Sequence, residues 1–159
     1  MYIESKGDGG ISKLYADRLL DLEKKSRATL VELQAKDNPI IPSDLKMDDL
    51  GSEEFPREVV ECIRDSELSQ TERHELITYL LGCWYLDRIG GSWTYVPMPV
   101  DMPSVYLGFG IGIANESGTV LANIAESARD IVEGADMDFK EALFNANVES
   151  SKKSSDSRR

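Results

Sequence analysis

The sequence predicts an α+β domain that is mostly helical, with four to five helices and a small antiparallel β element around residues 93–96 and 105–113. Three observations carry this reading. Several stretches space apolar residues three and four apart, the first of them, from Ile11 to about Lys36, with no Gly or Pro inside. A capping box, Ser69-Gln-Thr-Glu72, opens the most apolar of these stretches. Between helical blocks lie two segments of strand character: Trp93-Thr-Tyr-Val96, β-branched and aromatic, and Val105-Tyr-Leu-Gly-Phe-Gly-Ile-Gly-Ile113, which alternates. A chain of 159 residues has the length of one domain.

The elements follow in order. Residues 1–10 are polar and Gly-rich and read as a flexible lead-in to a single globular domain over 11–148. From Ile11 to about Lys36, Tyr15, Leu19, Leu22, Leu30 and Leu33 share one stripe, a coiled-coil-like seam broken by Ser26. Such a helix docks on its own domain or on a second subunit. Asn38-Pro39 and Pro42 end it, and Ile40–Gly51 reads as a linker. A second helix is expected from Ser52 or Glu53 to Asp65, with Pro56 in its first turn and Phe55, Val59, Cys62 and Ile63 on its buried face.

The helix capped by Ser69 runs to Ile89. Its apolar residues, Leu76 to Ile89, occupy more than one stripe, so it should lie centrally. Gly90 suits the left-handed residue that ends it. Pro97, Pro99 and Pro103 then impose an extended connector. In the alternating run Val105, Leu107, Phe109, Ile111 and Ile113 line one face and three glycines the other. A helix with a glycine-lined face is the alternative for this run. Asn115-Glu-Ser-Gly118 reads as a turn. A fourth helix is expected from Thr119 to Gly134, bearing Leu121, Ile124, Ala128 and Ile131. A short last one is expected after Asp138, with Phe139, Ala142 and Leu143 as its apolar side. Residues 149–159 carry no apolar side chain and read as a disordered basic tail.

Charge narrows the function. The net charge is −11, and residues 1–150 alone carry about −14, because the last nine residues hold one acid against four bases. Nucleic-acid backbone must be met by Lys and Arg, so most of this surface repels it. The acid surplus fits a protein partner with a basic surface, or simple solubility. No apolar run of membrane-spanning length occurs, and no basic segment followed by an apolar one marks export, so a cytoplasmic location is expected. Cys62 and Cys83 match no metal or redox spacing.

Catalytic signatures are missing. His74 is the sole histidine and reads as an exposed helical residue. With Cys62 and Cys83 it has none of the close spacings of a zinc site. The carboxylate pairs Asp48-Asp49 and Glu53-Glu54, like Asp136 and Asp138, fall in no calcium-loop context. Gly108, Gly110 and Gly112 lack the third glycine position of a dinucleotide fingerprint and the Lys of a P-loop. Neither a cofactor nor a metal is expected.

Gly90-Gly91 after a helix, then a short strand with Tyr95, Val96 and Pro97, resembles the central segment of the Mor/C family of phage transcription activators. The resemblance covers about twenty residues. It implies a dimerising helical domain whose strand pairs with its copy in another subunit, a phage or mobile-element origin, and a following helix–turn–helix. The chain departs from the family after Pro97: Met98 stands where a basic residue is usual, and residues 98–150 hold only Arg129 and Lys140 as bases. No helix there offers the side chains that base reading needs. Without kinship, Trp93–Val96 pairs internally with Val105–Ile113.

The resulting expectation is a non-enzymatic, acidic, homodimeric regulatory or inhibitory protein that binds another protein. A Mor-like DNA-binding regulator is the alternative, and an enzyme using Tyr85, Trp93 and Tyr95 around a pocket a lesser one. The candidate interface residues are Trp93, Tyr95, Trp84, Tyr15, Leu19 and Leu22, because aromatic anchors dominate interfaces.

Overall fold

The computed structural model describes residues 16–34, 55–97, 109–117 and 119–157. The lead-in, the linker Ile40–Gly51, Tyr15 and the Val105–Gly108 half of the alternating run lie outside them. Within them the fold is mostly helical α+β: five helices and a three-stranded antiparallel sheet in the order β1-β2-β3.

Helix α1 (Ala16–Gln34) buries Leu19, Ser26 and Leu30. The Ser26 hydroxyl donates to the Glu23 carbonyl at 2.8 Å and lies 3.4 Å from Cys83 Sγ, so the polar break in the seam is satisfied locally. Arg27 ties the helix to Asp87 through a two-pronged ion pair, 2.7 and 3.3 Å.

Helix α2 (Arg57–Arg64) starts later than expected, with Pro56 just before its first residue. Its buried residues are Val59, Val60 and Ile63, beside the buried Phe55. Cys62, expected on that face, is only half-buried, because Val60 takes the inner position.

Helix α3 (Gln70–Ile89) opens on the capping box. Ser69 Oγ accepts from the Glu72 amide at 3.1 Å and donates to the Glu72 carboxylate at 3.0 Å. Every residue from Leu76 to Leu86 is buried. The helix is the centre of the molecule: α1, α2, α4 and α5 all pack on it, α1 also touches β1, and α4 also touches β2. It ends at Gly90, φ 71°, and Gly91, φ 98°, turns the chain into the sheet.

Strand β1 (Ser92–Pro97) pairs antiparallel with β2 (Phe109–Ala114), in register from Ser92 opposite Ala114 to Pro97 opposite Phe109. The alternating run is a strand over its described half, not a helix. Trp93 faces Ile113 and Tyr95 faces Ile111 on one side of the sheet, with Gly112 and Gly110 opposite Thr94 and Val96 on the other. A Cβ on Gly112 would lie 2.3 Å from the Ala122 carbonyl oxygen, so this position admits only glycine.

Asn115 closes the next turn, its Oδ1 accepting from the Ser117 and Thr119 amides at 3.1 and 2.9 Å. The expected helix start at Thr119 is incorrect. Val120–Ala122 form β3 on β2, and α4 (Ile124–Val132) begins only after Asn123, whose Oδ1 accepts from the Glu126 amide at 3.1 Å.

The last helix is not short. Helix α5 (Met137–Ser157) begins where Asp136 Oδ1 accepts from the Asp138 amide at 2.9 Å, so Asp136 rather than Asp138 is its cap. With no Gly or Pro after Gly134, it carries helical backbone into the segment whose composition reads as a disordered tail. Its buried residues are Met137, Lys140, Phe144 and Val148. Phe144 joins Phe55, Trp84 and Tyr85 in an aromatic cluster with ring centroids 5.2–6.3 Å apart.

Candidate functional site

Four of the six residues expected to meet a partner are buried inside the fold. Trp84 is 0%, Trp93 2%, Tyr95 4% and Leu19 8% exposed; Leu22 is half-buried, and Tyr15 lies outside the described residues. Trp93 is inside because the benzene-ring end of its indole occupies the space where a side chain at residue 82 would stand. Gly82 of α3 leaves that space, and a Cβ there would sit 1.9 Å from the ring. Tyr85, Trp93 and Tyr95, the aromatic wall of an enzyme pocket in one reading of the sequence, are core residues. His74 is not free in solvent either: it is half-buried, and its Nε2 meets the Ala125 carbonyl at 2.8 Å, joining α3 to the start of α4.

Among the described residues the large apolar side chains left exposed are Leu20 and Val31 on α1 and Phe139 and Leu143 on α5. Phe55, Tyr79, Trp84, Tyr85, Trp93, Tyr95 and Phe144 are buried, yet Phe139 is 62% exposed. Leu143, one turn on, is 38% exposed, and Ala142 and Ala146 are exposed beside them. Residues three, four and seven apart share a helix face, so these four make one apolar ridge along the outside of α5. Sequence reading takes Phe139, Ala142 and Leu143 for the helix's apolar side, and it is the exposed one. The helix offers two apolar stripes, and Lys140 in the other one conceals that Met137, Phe144 and Val148 are its inner face.

Acids border the ridge. Asp138 and Glu149 are exposed along one flank, and Asp136 stands at its head. Arg57 of α2 is the local cation: it pairs with Glu61 at 3.2 Å, with Glu141 at 3.3 Å and with Asp138. These bonds raise the Arg57 pKa further above its already high value, Asp138 contributing most, so the clasp holds its charge at every ordinary pH. It fixes the first turns of α5 against α2.

On the other flank, α4 and α5 enclose a cleft of about 310 Å³. Glu126, Ser127 and Asp130 line it from α4, and Lys140, Leu143 and Asn147 from α5. Lys140 is only 7% exposed, and its Nζ meets Asp130 Oδ2 at 3.2 Å. Asn147 donates through Nδ2 to the Tyr85 hydroxyl at 3.2 Å. Burial pushes the Tyr85 phenol up to about 12, against a smaller opposing effect of that bond.

Both thiols are raised as well, mainly by burial. Cys83 is completely enclosed, and half-buried Cys62 also faces Glu58, Asp65 and Glu61. Neither is an activated nucleophile. Among the described residues no three His, Cys, Asp or Glu side chains are grouped to hold a metal ion, and no helix is long and apolar enough to cross a membrane. Compared with protein-family models, characterised proteins and solved structures, the chain matches none, so the α5 surface has to be interpreted from its own chemistry.

Proposed function

We propose that this chain is a non-enzymatic acidic regulatory or inhibitory protein that acts by binding another protein, with the α5 ridge as the contact. The exposed Phe139 carries this reading. A phenylalanine left in water while Phe55, Tyr79, Trp84, Tyr85, Trp93, Tyr95 and Phe144 are buried is a standing cost, recovered when a partner covers it. An aromatic side chain offers about 150–250 Å², of which 62% is open at Phe139, so at about 25 cal/mol per Å² covering it contributes about 2–4 kcal/mol. The flanking Asp138 and Glu149 favour a partner whose apolar groove is rimmed by Lys or Arg, and they speed its approach.

Self-association is a separate contact on α1. Leu20 and Val31 are 59% and 50% exposed. Their eleven-residue spacing is close to three full helical turns, so they lie on one stripe, available to a second copy. The Mor-like alternative rests on the glycine turn between α3 and β1. It has to contend with an acidic C-terminal half.

The test begins with the solution mass by light scattering, with and without a mixed-sequence DNA duplex at low salt. A dimer indifferent to DNA is expected. Proteins retained by the wild-type chain and lost by a Phe139→Glu/Leu143→Glu variant of equal melting temperature are then purified and titrated. The expected result is at least a tenfold loss of affinity in the variant and weaker binding as salt rises. Equal affinity of wild type and variant would sink the α5 assignment, and a shift of the wild type onto duplex DNA would favour the Mor-like regulator.

A further inference from the structure

We infer that the cleft between α4 and α5 is a binding site for a small zwitterion of the α-amino-acid class with an apolar side chain. The fold brings together polar groups at this cleft whose bonding capacity the described residues leave partly unfilled. Lys140 has three donors on a side chain that is 91% buried, and among the described residues only Asp130 accepts from it. Glu126 lines the same cleft, yet its carboxylate makes no ion pair or hydrogen bond among those residues; only its backbone amide is engaged, by Asn123. The Ser127 hydroxyl is likewise unengaged. Asn147 spends its amide donor on Tyr85, which leaves its carbonyl oxygen as an acceptor.

Charge and spacing select the ligand. Asp130 already neutralises Lys140, so the cleft keeps the surplus negative charge of Glu126. A simple anion would meet two carboxylates there and a simple cation would leave the Lys140 donors unfilled. Glu126 and Asp130 are four residues apart on α4, one helical turn, which puts their Cβ atoms about 5–6 Å apart on one face. That interval fits a molecule whose carboxylate accepts from Lys140 Nζ while its ammonium, two bonds away, donates to Glu126 and to the Asn147 carbonyl. Leu143 and Phe144 line the remaining wall and suit an aliphatic substituent. The volume, about 310 Å³, stands at the small end of ligand pockets, where a single amino acid is accommodated and a nucleotide is not.

This site adjoins the protein contact proposed above and shares Leu143 with it, while Phe139 takes no part in it. The probes are L-leucine and its two halves, isopentylamine and isovalerate, titrated into the full chain and followed through backbone amide resonances and heat. L-Leucine should shift the amides of Glu126, Asp130, Lys140 and Leu143 saturably. Each half should bind at least tenfold more weakly, because each leaves one charge of the cleft unpaired. Lys140→Met keeps the buried stem and removes the ammonium, and Glu126→Gln alters a part-exposed side chain with no internal bond; each should weaken leucine binding at least tenfold. If Lys140→Met does not fold, Glu126→Gln alone decides. The inference is overturned if L-leucine gives no saturable shift up to about 10 mM, a Kd beyond which a free energy of binding under about 3 kcal/mol remains. It is equally overturned if Glu126→Gln binds leucine as the wild type does, or if isopentylamine binds as tightly as leucine.

Discussion

Tyr85 illustrates what one buried polar atom does to the pH response of the whole chain. Its phenol titrates near 12 in the folded state, against 10.0 for an ordinary tyrosine. Below pH 10 both folded and unfolded forms keep the proton, and the residue contributes its full share of stability. Between about 10 and 12 the unfolded chain releases the proton first, so stability is lost as pH rises, by about 2–3 kcal/mol over the window. Urea unfolding across that range should show the decline, and Tyr85→Phe should remove its part of it. A variant with the same alkaline slope as the wild type would contradict the assignment. Other residues resist sequence reading for comparable reasons. Ser26 looks like a defect in an apolar seam, but its hydroxyl has the Glu23 carbonyl as an acceptor, so it is buried without penalty. Lys140 looks like an outward residue, and it is inside because Asp130 meets its ammonium and the apolar stem fits among its neighbours. In both cases the deciding partner lies on a backbone turn or a helix that periodicity alone does not place.

Among the elements, the contact between α3 and β1 depends on a missing side chain. Gly82 sits mid-helix, where alanine is intrinsically better by about 1 kcal/mol. Here the added methyl would overlap the Trp93 ring, which pairs with Ile113 and cannot retreat through the sheet. Gly82→Ala should therefore destabilise the protein by about 1–3 kcal/mol in spite of the helix preference. The check is urea unfolding together with tryptophan emission, and combining the change with Trp93→Leu should recover much of the loss. A neutral or stabilising single variant would show that the two elements are less closely fitted. The boundaries that sequence located well are those with a local chemical signature, such as the Ser69 cap and the Gly90–Gly91 turn. The start of α4 was misplaced because Val120–Ala122 is too short to reveal a period; only pairing with β2 makes it a strand. The aromatic candidates Trp84, Trp93 and Tyr95 lie in the core for a different reason. Aromatic content identifies which side chains can anchor a contact, and tertiary folding decides whether that contact is inside or outside the molecule.

Taken whole, the described residues are a set of elements gathered round α3, with apolar side chains left exposed on α1 and on α5. Its class and central helix were legible because both follow from period, caps and turns. The α5 ridge and the α4–α5 cleft were not, since each depends on which of two stripes faces inward. The central position of α3 also sets a clock for the exchange of backbone hydrogens with heavy water. Amides from Leu76 to Leu86 lie under neighbours on every side, so solvent reaches them only when the entire chain opens. Helix α1, held by Leu19, Leu30 and the Arg27–Asp87 pair along one face, has a smaller barrier to separate detachment. Deuterium should therefore enter α1 first and the middle of α3 last, with the slowest α3 amides reporting the global unfolding free energy. Equal protection in the two helices would mean that α1 is no separable layer but an integral part of the same cooperative unit.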